Sequence, residues 1–241
     1  MITYSVYTNL GARTVNEDSA GVFEKDGRFC FVLCDGLGGH GMGDKASALV
    51  VKTIGECFTD FDPSEEFYAP AFEIAQGNLL GEQKRIGAER MMKTTAVVLI
   101  CDKKTARIGH VGDSRIYCFR KGKVWFRTLD HSVPQMLALS GDIKENEIRN
   151  HPDRSLLLRV MGVAWDEPKY ELHDPVPLKK CQAFLLCSDG FWELIDEERM
   201  CLLLKESRSA EEWLSKMSAE VRANGKDKDM DNNTAIAVWV G

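Results

Sequence analysis

Acidic residues at the borders of apolar segments are the most chemically informative feature of this sequence. Four aspartates directly follow or closely precede such a segment: Asp35, Asp113, Asp189 and Asp231. Two further acids, Glu17 and Asp18, stand near Arg13 in the segment RTVNEDS. An aspartate after a strand is common as a turn residue, but carboxylates gathered at one rim repel one another, and Mg²⁺ or Mn²⁺ is what such an oxygen cluster accommodates. The repeated pattern therefore predicts a divalent-cation site.

A glycine-rich loop after Asp35 raises nucleotide binding as an alternative. The segment FVLCDGLGGHGMGDKAS contains GxGxxG spacing between an apolar run and a predicted helix. The dinucleotide-binding pattern also needs a second parallel strand after that helix, whereas CFTDFDPSEEFYAP resembles a turn that leads into another helix. The P-loop pattern from Gly38 meets Asp44 where it needs lysine. Because Asp35 would repel a phosphate unless a cation lay between them, we favour metal binding, with the glycines bringing backbone close to the site.

Composition argues against several classes of partner. The chain has 241 residues, 31 basic and 37 acidic, for a formal charge of −6, and no basic cluster is interleaved with aromatic residues. We therefore expect no nucleic-acid binding. The N-terminus has no signal-peptide pattern and no apolar run approaches 18 residues, so we expect a cytoplasmic protein without a membrane segment. The eight cysteines include no CxxC pair, which favours reduced core thiols over a zinc site.

The elements that must position the acids are predicted to be antiparallel strands covered by helices. The strand candidates are RFCFVLC, TAVVLIC, ARIGHVG, RIYCFR, KVWFRTL and TAIAVWV. Links of two to four residues join the four central runs, and links this short make the strands antiparallel, since a parallel crossover needs a dozen residues or more. Periodic apolar residues predict helices over about 46–58 and 64–84, and Ser209 with Glu212 predicts a capping box that opens a third helix. The polar segment 130–162 resembles two short helices in a long excursion.

Taken in order, these motifs resemble the metal-dependent protein phosphatases of type 2C (PPM family), in their short bacterial form. The matching segments are RTVNED, CDGLGGHGMGDKAS, GDSRIY, DHS…GDI…HP…LLRVMG, LLCSDGFWE and DNNTAIAV, which together cover nearly the whole chain. The resemblance implies an α+β fold: a four-layer α-β-β-α sandwich with two central antiparallel β-sheets flanked by helix pairs. We expect one domain over 1–241, with a flap at about 130–162.

The resemblance also implies an activity and a setting. The expected reaction is hydrolysis of phosphoserine and phosphothreonine on proteins, opposing a serine/threonine kinase in signalling. Two Mn²⁺ or Mg²⁺ ions are expected per chain, with a third, weaker site. A hydroxide that bridges two such ions attacks phosphorus in line without a phosphoenzyme. We expect the enzyme to be a monomer whose partners are phosphorylated proteins.

Residue by residue, the resemblance implies a binuclear metal centre. Asp35 would bridge the two ions, and the carbonyl of Gly36 would bind one of them. Asp189 and Asp231 would complete the shell of the other ion. The acids Glu17 and Asp18 resemble those that hold the second ion directly or through water.

Three further positions receive roles from the same resemblance. Asp113, with Asp189, matches the third metal site. Arg13 matches the guanidinium that binds the substrate phosphate, for which its planar fork of donors is suited. Eukaryotic members carry a histidine directly after the Asp-Gly pair, whereas this chain has Leu37 there. His40 is the nearest substitute as a catalytic acid, and a hydrogen bond that orders the loop is an equally good interpretation of it.

Two other interpretations of the whole protein stay open at this point. The chain could be a pseudophosphatase that binds phosphoproteins without hydrolysing them, although intact Asp35, Asp189 and Asp231 argue against this. It could also be a regulatory phosphatase that acts on small proteins resembling anti-sigma-factor antagonists. Two further histidines, His110 in a predicted strand and His131 at the start of the excursion, are predicted to be structural.

Overall fold

A computed structural model of the protein describes residues 1–38, 41–60 and 67–241. The strands are β1 (Ile2–Asn9), β2 (Asp18–Lys25), β3 (Arg28–Asp35), β4 (Ala96–Cys101), β5 (Thr105–Val111), β6 (Arg115–Arg120), β7 (Lys123–Arg127), β8 (Glu171–Leu172), β9 (Val176–Pro177), β10 (Ala183–Cys187) and β11 (Asn233–Val240). The helices are α1 (Gly43–Asp60), α2 (Tyr68–Ile86), α3 (Val133–Ser140), α4 (Asp189–Trp192), α5 (Glu197–Lys205) and α6 (Ala210–Gly225). Two 3-10 helices cover Glu145–Asn150 and Leu178–Lys180.

The strands form two antiparallel sheets, as the sequence predicted. One sheet has the order β1-β11-β10-β6-β7, and the other has the order β2-β3-β4-β5-β8, with β9 also paired to β5. The glycine-rich loop follows β3, which pairs antiparallel with both β2 and β4. Because a dinucleotide-binding unit requires parallel neighbours at this position, the antiparallel pairing rules that alternative out.

Alternating side chains divide the core into layers. Along β3, Cys30, Val32 and Cys34 pack against α1 and α2, whereas Phe31 and Leu33 pack into the space between the two sheets. This alternation follows from the two-residue period of a strand. Because both faces of the strand are covered, β3 is apolar throughout, which is why it was recognisable as a continuous apolar run.

The opposite outer layer consists of α5 and α6 on the other sheet. Trp213 of α6 packs among side chains of β6, β10 and β11, completing the predicted α-β-β-α order. Ser209 caps α6, since its hydroxyl accepts the amide of Glu212 at 3.1 Å. The reciprocal bond of a capping box is replaced, because the Glu212 carboxylate accepts the amide of Arg208 at 2.9 Å instead of that of Ser209.

The link between β5 and β6 differs from the prediction. These strands belong to different sheets, although their short connection was expected to join a paired antiparallel couple. Gly112 in this link has a φ of +99°, a conformation that favours glycine, and a Cβ there would press against Thr95. Because this link crosses from one sheet to the other, Asp113 lies at the ends of β5 and β6 and so at the ends of both sheets.

The long excursion after β7 contains two short helices, as expected: α3 and the 3-10 helix Glu145–Asn150. All eight cysteines are free thiols. Within the described ranges, no helix has both the length and the apolar character needed to cross a membrane.

Candidate functional site

Strand register brings the predicted acids to one end of the two sheets. Asp18 opens β2 and lies directly opposite Asp35, the last residue of β3. Asp189 follows β10 at the first turn of α4, and its carboxyl group interacts electrostatically with that of Asp35. Asp113 interacts electrostatically with both of these carboxyls. Four acids from four separate segments therefore converge on one place.

This proximity makes ionisation of the acids unfavourable. Loss of hydration, followed by repulsion from Asp189, raises the pKa of Asp35 and of Asp113 well above the ordinary value. The same causes raise the pKa of Asp18 to about 7, although hydrogen bonds from Thr234 and Ser188 oppose the shift. Like charges and burial are the standard causes of raised carboxyl pKa values. A bound dication would favour the ionised carboxylates, because its charge would offset both the loss of hydration and the repulsion between the acids.

Asp18 provides a direct test of whether a cation fits. Its Oδ2 accepts a hydrogen bond from the Ser188 hydroxyl at 2.8 Å. Its Oδ1 is buried and has no hydrogen-bond partner among the described residues. Buried carboxylate oxygens without a partner are rare, and an unrecorded ion is a recognised explanation. The donor set consists of carboxylates, which suits Mg²⁺ or Mn²⁺.

The glycines after Asp35 allow the backbone of the loop to approach Glu17 closely. The amide of Gly36 donates to the carbonyl of Glu17 at 3.1 Å, and a Cβ on Gly36 would fall on the backbone of Gly43 and Glu17. A Cβ on Gly38 would fall on the Glu17 carboxylate. This close approach is the role that the sequence suggested for the loop. Loss of hydration raises the pKa of Glu17. The predicted catalytic acid His40 lies outside the described residues.

Arg13 and Asp231 form the exposed edge of the site. The Arg13 Nε and Nη2 atoms lie 3.0 and 3.1 Å from the two carboxylate oxygens of Asp231, and Nη1 lies 3.2 Å from Asp229. The two paired side chains are 41% and 50% exposed, so solvent reaches this edge. The hydrogen bond to Asp231 raises the pKa of Arg13. The structure thus brings the predicted phosphate-binding residue beside a predicted metal ligand.

Three polar residues that the sequence did not single out position the acids. The Thr95 hydroxyl accepts the amide of Asp35 at 2.9 Å, and the Asn232 side chain accepts the amide of Glu17 at 2.8 Å. The Ser188 hydroxyl accepts the amide of Thr234 at 3.0 Å while it donates to Asp18. Ser188 and Asn232 are direct sequence neighbours of predicted ligands, which was the available signal for them.

Glu193 is a fourth residue that sequence analysis missed. It lies one turn after Asp189, where its amide donates to the Asp189 carbonyl at 2.9 Å. Burial and repulsion from Asp189 raise its pKa to about 7. Arg154, from the predicted flap, contacts its carboxylate at 3.1 Å. This ion pair connects the flap to the segment that carries Asp189.

Comparison with known proteins shows the family and the fold of this chain. The family model for Protein phosphatase 2C matches residues 7–233. The serine/threonine phosphatase stp of Listeria welshimeri is 34% identical over 234 residues, which cover 92% of this chain and 89% of the relative. The crystal structure of the serine/threonine phosphatase Stp1 from Staphylococcus aureus superposes with a TM-score of 0.90 at 27% identity, covering 100% of this chain and 96% of that one. The Mycobacterium tuberculosis serine/threonine phosphatase PstP/Ppp gives a TM-score of 0.82 at 25% identity, with 99% and 98% covered.

Proposed function

Because the chain belongs to the protein phosphatase 2C family, it is a serine/threonine protein phosphatase, and we propose that its acidic cluster catalyses the reaction with two divalent cations. The observation that carries this proposal is the convergence of Asp18, Asp35, Asp113 and Asp189, together with the buried Oδ1 of Asp18, which has no hydrogen-bond partner among the described residues. The family is metal-dependent, and a cation is the ligand that this cluster of like charges requires.

The proposed ligands are those that the sequence identified. The two Mn²⁺ or Mg²⁺ ions would be held by Asp35, the Gly36 carbonyl, Asp189 and Asp231, with assistance from Glu17 and Asp18. A third ion would be held by Asp113 with Asp189. When bound, the ions supply an activated water and neutralise the charge that develops on the phosphate oxygens.

The residues around the cluster hold these groups in place. Thr95 fixes the backbone of Asp35, and Ser188 orients Asp18 by donating a hydrogen bond to one of its carboxylate oxygens. Such preorganisation limits the reorganisation needed when charge develops. Arg13 lies at the solvent-facing edge, so its guanidinium can turn from Asp231 to the phosphate of an incoming substrate and bind two of its oxygens.

We propose that the flap contributes to the recognition of protein substrates. A groove of about 610 Å³ runs from Leu37 and Gly38 of the site loop to the flap residues 155–160. Leu156 and Leu158 in this stretch are 52% and 55% exposed. The groove can therefore contact residues that flank a phosphoserine or phosphothreonine. The proposed setting is a single cytoplasmic domain, a monomer that opposes a serine/threonine kinase.

Shortening the flap tests this assignment. Turnover of a phosphoprotein should fall more than turnover of a small aryl phosphate, because only the protein reaches the groove. An equal fall for both substrates would contradict a role in substrate selection.

The metal-dependent activity is tested by phosphate release from p-nitrophenyl phosphate and from a phosphothreonine peptide, with Mn²⁺ and with EDTA. Asp35→Asn and Asp189→Asn should abolish release. Asp26→Asn, which changes an exposed aspartate in the β2–β3 turn at the opposite end of these strands from Asp18 and Asp35, should retain the wild-type rate. Release that persists in EDTA or in both site variants would refute the proposal. Mn²⁺ binding without release by the wild type would indicate a pseudophosphatase that only binds phosphoproteins.

A further inference from the structure

Three histidines and a glutamate meet at the edge of the second sheet, where the flap begins. His110 of β5 lies opposite Glu171 of β8, and His173 follows this short strand. His131 stands at the start of the flap, where its amide donates to the Gly112 carbonyl at 2.9 Å. The rings of His110 and His131 stack with centroids 4.6 Å apart, and those of His110 and His173 lie 5.2 Å apart.

The polar atoms of this cluster are spaced like the ligands of one metal ion. His110 Nδ1 lies 3.3 Å from His173 Nε2, which lies 3.7 Å from Glu171 Oε1. Ligand atoms of His110, His131 and Glu171 also lie within 4.8 Å of one another. In a tetrahedral zinc site with Zn–N distances near 2.0–2.1 Å, neighbouring ligand atoms are about 3.4 Å apart. The separations of 3.3 and 3.7 Å among the His110, His173 and Glu171 atoms are close to this value.

Hydrogen bonds already fix the orientation of His110. Its Nε2 lies 2.9 Å from the carbonyl oxygen of Leu129, so the Nε2–H donates there. The lone pair of Nδ1 then faces His173. Metal-binding histidines commonly donate their second N–H to a backbone carbonyl in this way. His110 is thus prepared to bind a cation through Nδ1.

His131 has a different role in the same cluster. Its Nδ1 accepts the amide of Gly112 at 3.2 Å, so in the neutral ring the proton is on Nε2. That Nε2 faces Glu171 Oε2 at 3.5 Å. It is buried without a hydrogen-bond partner within the described residues, and His131 is only 7% exposed. An N–H in this position can hold one oxygen of Glu171 while the other oxygen binds a cation.

We propose that this cluster binds one divalent transition metal of the zinc class. The ligands are His110 Nδ1, His173 Nε2 and Glu171 Oε1, solvent takes the remaining position, and His131 orients the glutamate. The cation takes the place of the proton on His173 Nε2, which lies 3.3 Å from His110 Nδ1, and that proton moves through solvent to Nδ1 of the same His173 ring. Nitrogen ligands favour zinc, nickel or copper over Mg²⁺, so this site differs in preference from the acidic centre.

The site would connect the flap to the sheet. Glu171 and His173 belong to the chain segment that returns from the flap region, and His110 belongs to the sheet itself. The His131 carbonyl accepts the amide of the flap residue Leu158 at 2.8 Å. A bound ion therefore stabilises the base of the flap without contact with the substrate phosphate.

Zinc uptake in excess Mg²⁺, measured by equilibrium dialysis, tests the proposal. The wild type should bind one equivalent of Zn²⁺ more than His173→Ala. His151→Ala, which removes a flap histidine outside the cluster, should bind as the wild type does. Co²⁺ in place of Zn²⁺ should give visible absorption bands of a nitrogen-ligated ion in the wild type, and these bands should be lost in His173→Ala.

The same comparison in an Asp35→Asn background separates this site from the acidic centre. The difference of one equivalent should persist there, even though phosphatase activity is lost. Glu171→Gln provides a second removal of a ligand, at a side chain that is 43% exposed and so can change without loss of the fold. Equal Zn²⁺ uptake by the wild type, His173→Ala and Glu171→Gln would overturn the proposal.

Discussion

Replacing Asp130 by asparagine should destabilise the protein strongly, because Asp130 neutralises a buried arginine at the start of the flap. Arg115 Nε and Nη2 lie 2.8 and 2.6 Å from the two Asp130 oxygens. The two side chains are 4% and 1% exposed. Arg115 also stacks on Trp192, with its guanidinium carbon 3.4 Å from the ring centroid. The variant would leave the guanidinium buried, and Glu197, with an oxygen 3.7 Å from Nη1, would be its remaining ion-pair partner within the described residues.

Removing one partner of a buried ion pair costs about 3–5 kcal/mol. The partly exposed Glu197 compensates some of the charge, so we expect the low end, about 3 kcal/mol. For a chain of this size that corresponds to a fall in Tm of about 6–12 °C. Urea denaturation and thermal melting measure the two quantities.

Two comparisons make this result interpretable. Asp166→Asn, at an exposed position, should change the free energy of unfolding by less than about 0.5 kcal/mol. The double variant Arg115→Met, Asp130→Leu removes both charges and should recover most of the loss, since apolar replacement of a buried pair is often neutral. A loss below about 1 kcal/mol in Asp130→Asn, or a double variant less stable than the single one, would refute the reasoning.

Three further predictions follow from the same structure. Gly36→Ala should abolish Mn²⁺-dependent phosphate release because its Cβ would strike backbone, whereas Gly77→Ala, where a Cβ meets open space in α2, should retain the rate and raise stability by about 0.5–1 kcal/mol. Although burial opposes the shift, hydrogen bonds from Thr105 help lower the pKa of Asp102 from 3.8 to about 2. The ionised Asp102 therefore stabilises the fold fully above pH 3.8, and this stabilisation is lost as pH falls toward about 2. Asp102→Asn should lower the free energy of unfolding by about 1 kcal/mol at neutral pH and leave it unchanged in strong acid, and urea denaturation at both pH values measures this. Arg13→Lys keeps the charge but not the fork of donors, so initial rates should show KM for a phosphothreonine peptide raised ~10-fold with kcat little changed; an unchanged KM would exclude phosphate binding by Arg13.

The sequence predicted the strands that are buried on both faces and the edge strand β7, and it missed the edge strands β1, β2 and β8. β3 and β11 are nearly continuous apolar runs because helices cover one face and the other sheet covers the second. β1 lies at a sheet edge, where Tyr4 and Val6 are 45% and 46% exposed, so its apolar and polar residues do not alternate between a buried and an exposed face. β2 begins with an acid of the site and includes Gly21, and neither residue favours a strand. The local pattern of apolar residues therefore indicates how deeply a strand is buried better than it indicates which strands are paired.

The acids of the site were predictable individually, but their mutual arrangement was not. Each strand end marks its own aspartate in the sequence. That Asp18 lies opposite Asp35 depends on β2–β3 register, which the sequence does not reveal without knowledge of β2. The histidine cluster was less accessible still, because Glu171 belongs to a two-residue strand. His110 and His131 were expected to be structural, and only the tertiary fold shows that they face Glu171.

The two ends of the flap are attached in ways that affect the acidic centre differently. Its start is held by Arg115 and Asp130, which belong to the sheet and the link after β7. Its far end is held where Met161 pairs with Thr94, whose hydroxyl donates to the Asp35 carbonyl at 2.8 Å. The side chains of Leu156 and Leu158, in the groove between these attachments, are 52% and 55% exposed, so the flap surface can vary while the acids of the site stay in place. Changes near Met161, in contrast, act on the backbone of Asp35 and should lower turnover of every substrate.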